Sequence, residues 1–123
     1  MPTKILLIED EPSLQKALGL ALEKEGFAVT QATDGQLGLD LAKKDQPDLI
    51  LLDLILPKKD GFAVLAELKA DEKLKQVPVI ILTNLETSQD VQKALTMGAT
   101  TYLVKANYEL ADVIKKIKSV IQG

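Results

Sequence analysis

Short apolar runs alternate along this chain with longer stretches whose apolar residues recur at three and four positions. The first pattern predicts buried strands and the second amphipathic helices. Lys4 to Ile8 reads as a first strand. Pro12 follows at a position where the opening turn of a helix tolerates a missing amide donor. Leu14, Ala17, Leu18, Ala21 and Leu22 form that helix's buried stripe, until Gly26 supplies a left-handed cap. Phe27 to Gln31 predicts a short second strand. Asp34 is the expected N-cap of a second helix, which runs through Lys44 and packs Leu37, Gly38, Leu41 and Ala42. Asp48 to Leu52 is apolar on both faces, as in a central parallel strand covered from each side. A turn-rich loop from Leu54 to Gly61 leads into a helix burying Phe62, Leu65 and Leu68. Val77 to Leu82 predicts the fourth strand, with Pro78 near its start. Thr87 and Asp90 form a capping pair for a fourth helix that buries Val91, Ala94, Leu95 and Gly98. Thr101 to Val104 is the fifth strand, and Asn107 the expected cap of a last helix with Leu110, Val113, Ile114, Ile117, Val120 and Ile121 on one side.

Five strand–helix units without a linker or repeat predict one α/β domain, residues 1–123, with a doubly wound parallel sheet. A hydrophobic content of 46% supports a packed core. No apolar stretch approaches the ~20 residues of a membrane span, and no signal peptide is recognisable, so the expected setting is cytoplasmic. Cysteine and histidine are both absent. That removes disulfides, thiolate or imidazole metal sites and a Ser-His-Asp mechanism. All fifteen cationic residues are lysine. Without arginine, the main bidentate reader of guanine, nucleic acid is not an expected partner.

Charge changes the picture at three strand ends. Ile5 to Ile8 stops at Glu9 and Asp10, Leu49 to Leu52 at Asp53, and Tyr102 to Val104 at Lys105. In an open α/β sheet, ligands bind outside the carboxyl ends of the strands, where strand order reverses. Carboxylates crowded at one such edge repel, and a small hard cation with oxygen ligands relieves them, which favours Mg²⁺ over a softer metal. Taken singly, these residues read as structural: Asp53 as a turn or cap, Thr83 as a strand end, Tyr102 as a half-buried aromatic. Glu11 reads as an acidic residue favoured by a helix N-terminus. Lys58, Lys59, Lys115 and Lys116 read as solvated surface charges. Coincidence gives the acidic residues and Lys105 their weight.

Glu9-Asp10-Glu11, Asp53 with Pro57 and Gly61 downstream, Thr83 closing the fourth strand, and Tyr102-Leu103-Val104-Lys105 together resemble the receiver domain of two-component response regulators. The resemblance runs the length of the chain. It implies a flavodoxin-like (βα)5 three-layer sandwich with strand order 2-1-3-4-5. It further implies that Asp10 and Asp53 ligate Mg²⁺, with Glu9 acting through a water and Ile55 through its backbone carbonyl. Asp53 would be the nucleophile that accepts a phosphoryl group from a histidine kinase or histidine phosphotransfer protein, or from a small phosphodonor. Lys105 would balance the charge and Thr83 would donate its hydroxyl to the phosphoryl group. Movement of Thr83 would open space for Tyr102 to rotate, altering the face made by the fourth helix, fifth strand and fifth helix.

The chain departs from the commoner family pattern at Glu9 in place of aspartate, at Ala106 after Lys105, at Asn84, and at Thr100-Thr101 where an acidic pair is typical of receivers joined to winged-helix domains. The expected protein is a stand-alone receiver, a monomer or weak dimer, that docks on a protein target rather than turning over a substrate. Ile55 and Leu85 flank the expected phosphoryl position, and neither can orient water, so slow dephosphorylation is expected. An aspartate-nucleophile phosphohydrolase of the haloacid dehalogenase type is the main alternative. That family places a second aspartate two residues after the nucleophile, where this chain has Ile55. A flavodoxin would need a phosphate-cradling loop in place of acidic Glu9 to Ser13, and a non-phosphorylated pseudo-receiver is a third alternative.

Overall fold

Apolar and β-branched runs form five strands in the computed structural model, which describes residues 2–122; residues 1 and 123 of the expected unit lie outside it. The strands are β1 (Lys4–Ile8), β2 (Ala28–Ala32), β3 (Leu49–Leu52), β4 (Val79–Thr83) and β5 (Thr101–Val104). Between and after them come α1 (Pro12–Lys24), α2 (Gly35–Asp45), α3 (Gly61–Ala70), α4 (Ser88–Thr96) and α5 (Leu110–Gln122). All strand pairs are parallel, in the order β2-β1-β3-β4-β5. This is the expected doubly wound sheet, with β1 and β3 adjacent at its switch point.

Alternation along each strand sends successive side chains to opposite faces. Ile5, Leu7, Leu49, Leu51, Ile80 and Leu82 pack on Leu18 and Leu22 of α1 and Val113 and Ile117 of α5. Leu6, Ile8, Ile50, Leu52, Val79 and Ile81 pack on the other face against α2, α3 and Ala94 of α4. The central strands β3 and β4 are buried throughout, as sheets covered on both faces require.

Local signals set most boundaries as the sequence predicts. Gly26 is left-handed at φ 91° just past α1. The Asp34 carboxylate accepts from the Leu37 amide at 2.7 Å, and Thr87 Oγ1 accepts from the Asp90 amide at 3.2 Å while donating to Asp90 Oδ2 at 2.7 Å. Other expectations need correction. β4 begins at Val79, because the Val77 amide is spent on a turn to the Leu74 carbonyl. The last helix starts at Leu110: Asn107 lies in a 3-10 turn, Lys105–Asn107, while Asp112 reaches back to accept from the Glu109 amide at 3.2 Å. In α2 the buried stripe is Gly35, Gly38, Leu39 and Ala42, and Leu37 is left 41% exposed. A Cβ on Gly38 would lie 2.6 Å from Ile8 Cδ1, so the glycine brings α2 against β1 and centres the stripe on itself. Ala17, Leu95 and Gly98 are exposed, Gly98 lying past the end of α4, and Phe62 is only partly buried, its ring covered by the Lys93 ammonium of α4 at 4.2 Å.

Candidate functional site

The residues directly after β1 and β3, and the one after β5, converge because those strands are parallel and in register, Ile8 beside Leu52. Glu9, Asp10 and Asp53 each present a carboxylate oxygen within 4.8 Å of the others. Glu9 and Asp53 are buried, at 1% and 4% exposure, whereas Asp10 is exposed. The Lys105 ammonium bridges the buried pair, at 2.8 Å from Glu9 Oε1 and 2.8 Å from Asp53 Oδ2. Backbone donors hold the remaining oxygens: the Glu11 amide at 3.0 Å from Glu9 Oε2 and the Ile55 amide at 3.1 Å from Asp53 Oδ1.

Two buried carboxylates on one ammonium leave the site short of positive charge. Burial pushes the Glu9 carboxyl above the ordinary carboxylate range, and repulsion from Asp53 adds to this, outweighing the Lys105 and Glu11 contacts. Burial would lower Lys105, but its hydrogen bonds to Asp53 and Glu9 prevail and hold it above the ordinary lysine value. An all-oxygen donor set carrying excess negative charge fits a hard divalent cation.

Thr83 is fully buried at the end of β4, its Oγ1 accepting from the Leu85 amide at 3.5 Å. The Tyr102 hydroxyl donates to the Leu85 carbonyl at 2.7 Å, and its ring packs on the α2–α4 side of the core. Thr83 and Tyr102 therefore meet through the backbone of one residue, Leu85, a link the expected ring rotation did not include. Ile55 is 52% exposed beside Asp53. Lys105 and Ala106 are joined by a trans peptide.

Sequence reasoning missed Gln15. Its Nε2 donates to the Glu9 carbonyl at 3.0 Å and the Ala32 carbonyl at 3.1 Å, tying α1 to the ends of β1 and β2 behind the acidic edge. The signal was a polar residue beside Leu14 and Leu18 on the inward side of an amphipathic helix. Gly61, noted in the sequence as part of the motif, has a steric role: a Cβ there would lie 2.4 Å from the Asp53 carbonyl oxygen.

Residues 5–118 match the family model described as the response regulator receiver domain. The chain is 39% identical over 119 residues to the DNA-binding dual master transcriptional regulator RpaA of Synechocystis, covering 97% of this chain and 49% of that protein. It is 38% identical over 120 residues to the transcriptional regulatory protein CseB of Streptomyces coelicolor, covering 98% and 50%. The chain thus spans about half the length of these curated relatives, and the expectation of a stand-alone receiver gains no support from them. Nor does the expected absence of a nucleic-acid partner, since RpaA is itself named as DNA-binding. Among solved structures, the receiver domain of sensor histidine kinase PA1611 from Pseudomonas aeruginosa superposes with TM-score 0.89 at 31% identity over 100% of both chains, with a magnesium ion coordinated in its active site cleft. The BeF3-activated N-terminal receiver domain of RstA from Klebsiella pneumoniae superposes with TM-score 0.89 at 27% identity, covering 98% of this chain and 100% of that one. Among the described residues no helix is long and apolar enough to cross a membrane. With a doubly wound sheet, an acidic edge after β1 and β3, and a lysine after β5, the chain belongs to the response regulator receiver domain family, the phosphorylation-dependent switches of two-component signalling.

Proposed function

We propose that Asp53 accepts a phosphoryl group and that the resulting aspartyl phosphate resets the face formed by α4, β5 and α5 for a protein target. The observation that carries this reading is the Asp53 carboxylate, held by Lys105 at 2.8 Å and flanked by the carboxylates of Glu9 and Asp10. Asp10 and Asp53 would hold Mg²⁺ directly, Glu9 through a water, and Ile55 by its carbonyl. When bound, that ion supplies charge neutralisation for the carboxylates and the transferring phosphoryl oxygens.

This chain's residues do the rest. A carboxylate oxygen of Asp53 attacks phosphorus in a phosphohistidine of a kinase or phosphotransfer protein. The P–N bond breaks with its electron pair going to the imidazole nitrogen, and a P–O bond forms to Asp53. The Ile55 amide and Lys105 hold the nucleophile oriented, so the step needs positioning more than proton transfer. Lys105 and the Thr83 hydroxyl then take phosphoryl oxygens. A hydroxyl that turns to the phosphoryl group leaves the Leu85 amide, and the Leu85 carbonyl anchors Tyr102, so the loop carries the change to β5. The chemistry of the receiver unit is confined to its own phosphorylation and dephosphorylation.

Intact-mass measurement after incubation with Mg²⁺ and a small phosphodonor tests this. A single phosphoryl adduct, absent from Asp53→Asn, is expected. No adduct, or sustained turnover of a phosphoester, would count against it.

A further inference from the structure

Near the end of α3, half-buried Lys69 turns its ammonium onto backbone alone. Its Nζ donates to the Lys75 carbonyl at 3.3 Å and to the Val77 carbonyl at 3.1 Å, both in the loop leading to β4. Among the described residues no carboxylate pairs with it. The acids close by in sequence are engaged elsewhere: Glu67 with Lys59, Glu72 with Lys75 at 3.0 Å, and Asp71 with two amides of its own loop. The stem is enclosed as well, since a Cβ on Gly98, in the turn between α4 and β5, would lie 3.3 Å from Lys69 Cγ and Cδ. Lys69 therefore joins α3, the loop before β4 and the turn before β5.

An ammonium carries three protons, and the two carbonyls engage two of them. Losing the third to water leaves both hydrogen bonds in place and a lone pair at the position it vacates. Burial without a compensating anion favours that neutral form and pushes Lys69 below the ordinary lysine value. Lys105, bridged to Glu9 and Asp53, is held charged instead. A desolvated lysine that can shed its proton is a nucleophile.

We propose that Lys69 is an acyl-acceptor site, modified on Nζ by a small acyl phosphate. The neutral amine attacks the carbonyl carbon and an N–C bond forms. The C–O bond to phosphate breaks with its electron pair leaving on inorganic phosphate, and the amine's proton passes to water. Such a donor also presents a phosphorus atom to Asp53, so one reagent serves two sites through two different atoms. The step at Lys69 needs neither Mg²⁺ nor Asp53. An acylated lysine keeps a single N–H, so one of the two carbonyls loses its donor and the joint beside α4 and β5 loosens.

Incubation of the full chain with acetyl phosphate at about pH 8, followed by peptide mapping by mass spectrometry, gives the order in which the lysines react. Lys69 should be acetylated severalfold faster than the exposed Lys43 and Lys44. Because its lead comes from a larger share of free amine, the lead should disappear at about pH 11, above the ordinary value of 10.5. Asp53→Asn should leave the Lys69 rate unchanged, and Lys69→Arg, which stays charged, should lack the first acetyl addition in its intact mass. Acetylation of Lys69 no faster than that of Lys43 and Lys44, or a lead that persists at the higher pH, overturns the proposal. A Lys69 rate that falls in Asp53→Asn would make acylation a consequence of phosphorylation and overturn it likewise.

Discussion

The Tyr102 phenol sits half-buried beneath the β4–α4 loop with its proton committed to the Leu85 carbonyl. Burial, with the charges of Asp90 and Asp53, pushes it up to about 12 from an ordinary value of 10.0. The folded protein therefore keeps a proton that the unfolded chain has lost, so Tyr102 contributes stability that is full below pH 10 and disappears as pH rises toward 12. The chain has two tyrosines. In a Tyr108→Phe variant the ultraviolet absorbance change after a rapid pH jump reports Tyr102 alone, and its midpoint should fall near 12. A midpoint at 10 would mean the ring is free of the loop. Across the site, Ile55 at 52% exposure and half-buried Leu85 offer no group that could orient an attacking water. Replacing both by asparagine should shorten the phosphoryl lifetime by about tenfold, less than the roughly hundredfold or more of a general base, because asparagine orients water without taking its proton. Decay of the phosphoryl adduct by intact mass gives the rate, and an unchanged rate would remove these side chains from the account.

Helix placement depends on two close approaches that differ in what they press against. A Cβ at Gly61 would meet backbone, 2.3 Å from Leu54 Cα and 2.4 Å from the Asp53 carbonyl oxygen. At Gly38 it would meet only the Ile8 side chain, at 2.6 to 2.8 Å. Side chains can shift rotamer where backbone cannot, so Gly61→Ala should cost more than Gly38→Ala, with the latter near the ~1–3 kcal/mol of ordinary overpacking. Urea unfolding of the two variants gives the order, and Gly61→Ala should also slow phosphoryl uptake because the displaced chain carries Asp53. Such contacts mark the limit of what sequence reveals. The strand ends that carry Glu9, Asp53 and Lys105 were legible, because each is an abrupt change from apolar to charged. The caps at Asp34 and Thr87 were legible from local spacing alone. The stripe of α2 was not: it is set by Gly38 against Ile8, thirty residues back, a tertiary fact without local periodicity. The start of α5 was misread because Asn107 and Glu109 both precede apolar helix, and only Asp112, three residues beyond Glu109, decides between them. Lys105's simultaneous hold on Glu9 and Asp53 was out of reach, since spacing brings residues to one edge and says nothing of which oxygens they share.

Over the whole molecule, the acidic edge is also where the sheet is tied together. Glu9 and Asp10 follow β1, Asp53 follows β3 and Lys105 follows β5, so one small site spans the strands that anchor both core layers. A cation held by Asp10 and Asp53 would cross-link the ends of β1 and β3, and it could bind only the folded chain, because these residues lie 43 positions apart. Linkage then requires the cation to stabilise the entire cooperative unit, by about 2.7 kcal/mol at one hundred times its Kd. Urea unfolding with and without MgCl₂ should show this gain as a higher midpoint with an unchanged slope, since the exposed surface stays the same. In Asp53→Asn most of the gain should vanish. In Lys105→Met the metal-free protein should be weaker, two buried carboxylates having lost their shared cation, while its gain on adding MgCl₂ should exceed that of wild type because those carboxylates, no longer neutralised by an ammonium, attract the cation more strongly. Equal gains in wild type and Lys105→Met would mean that lysine and metal occupy the edge independently.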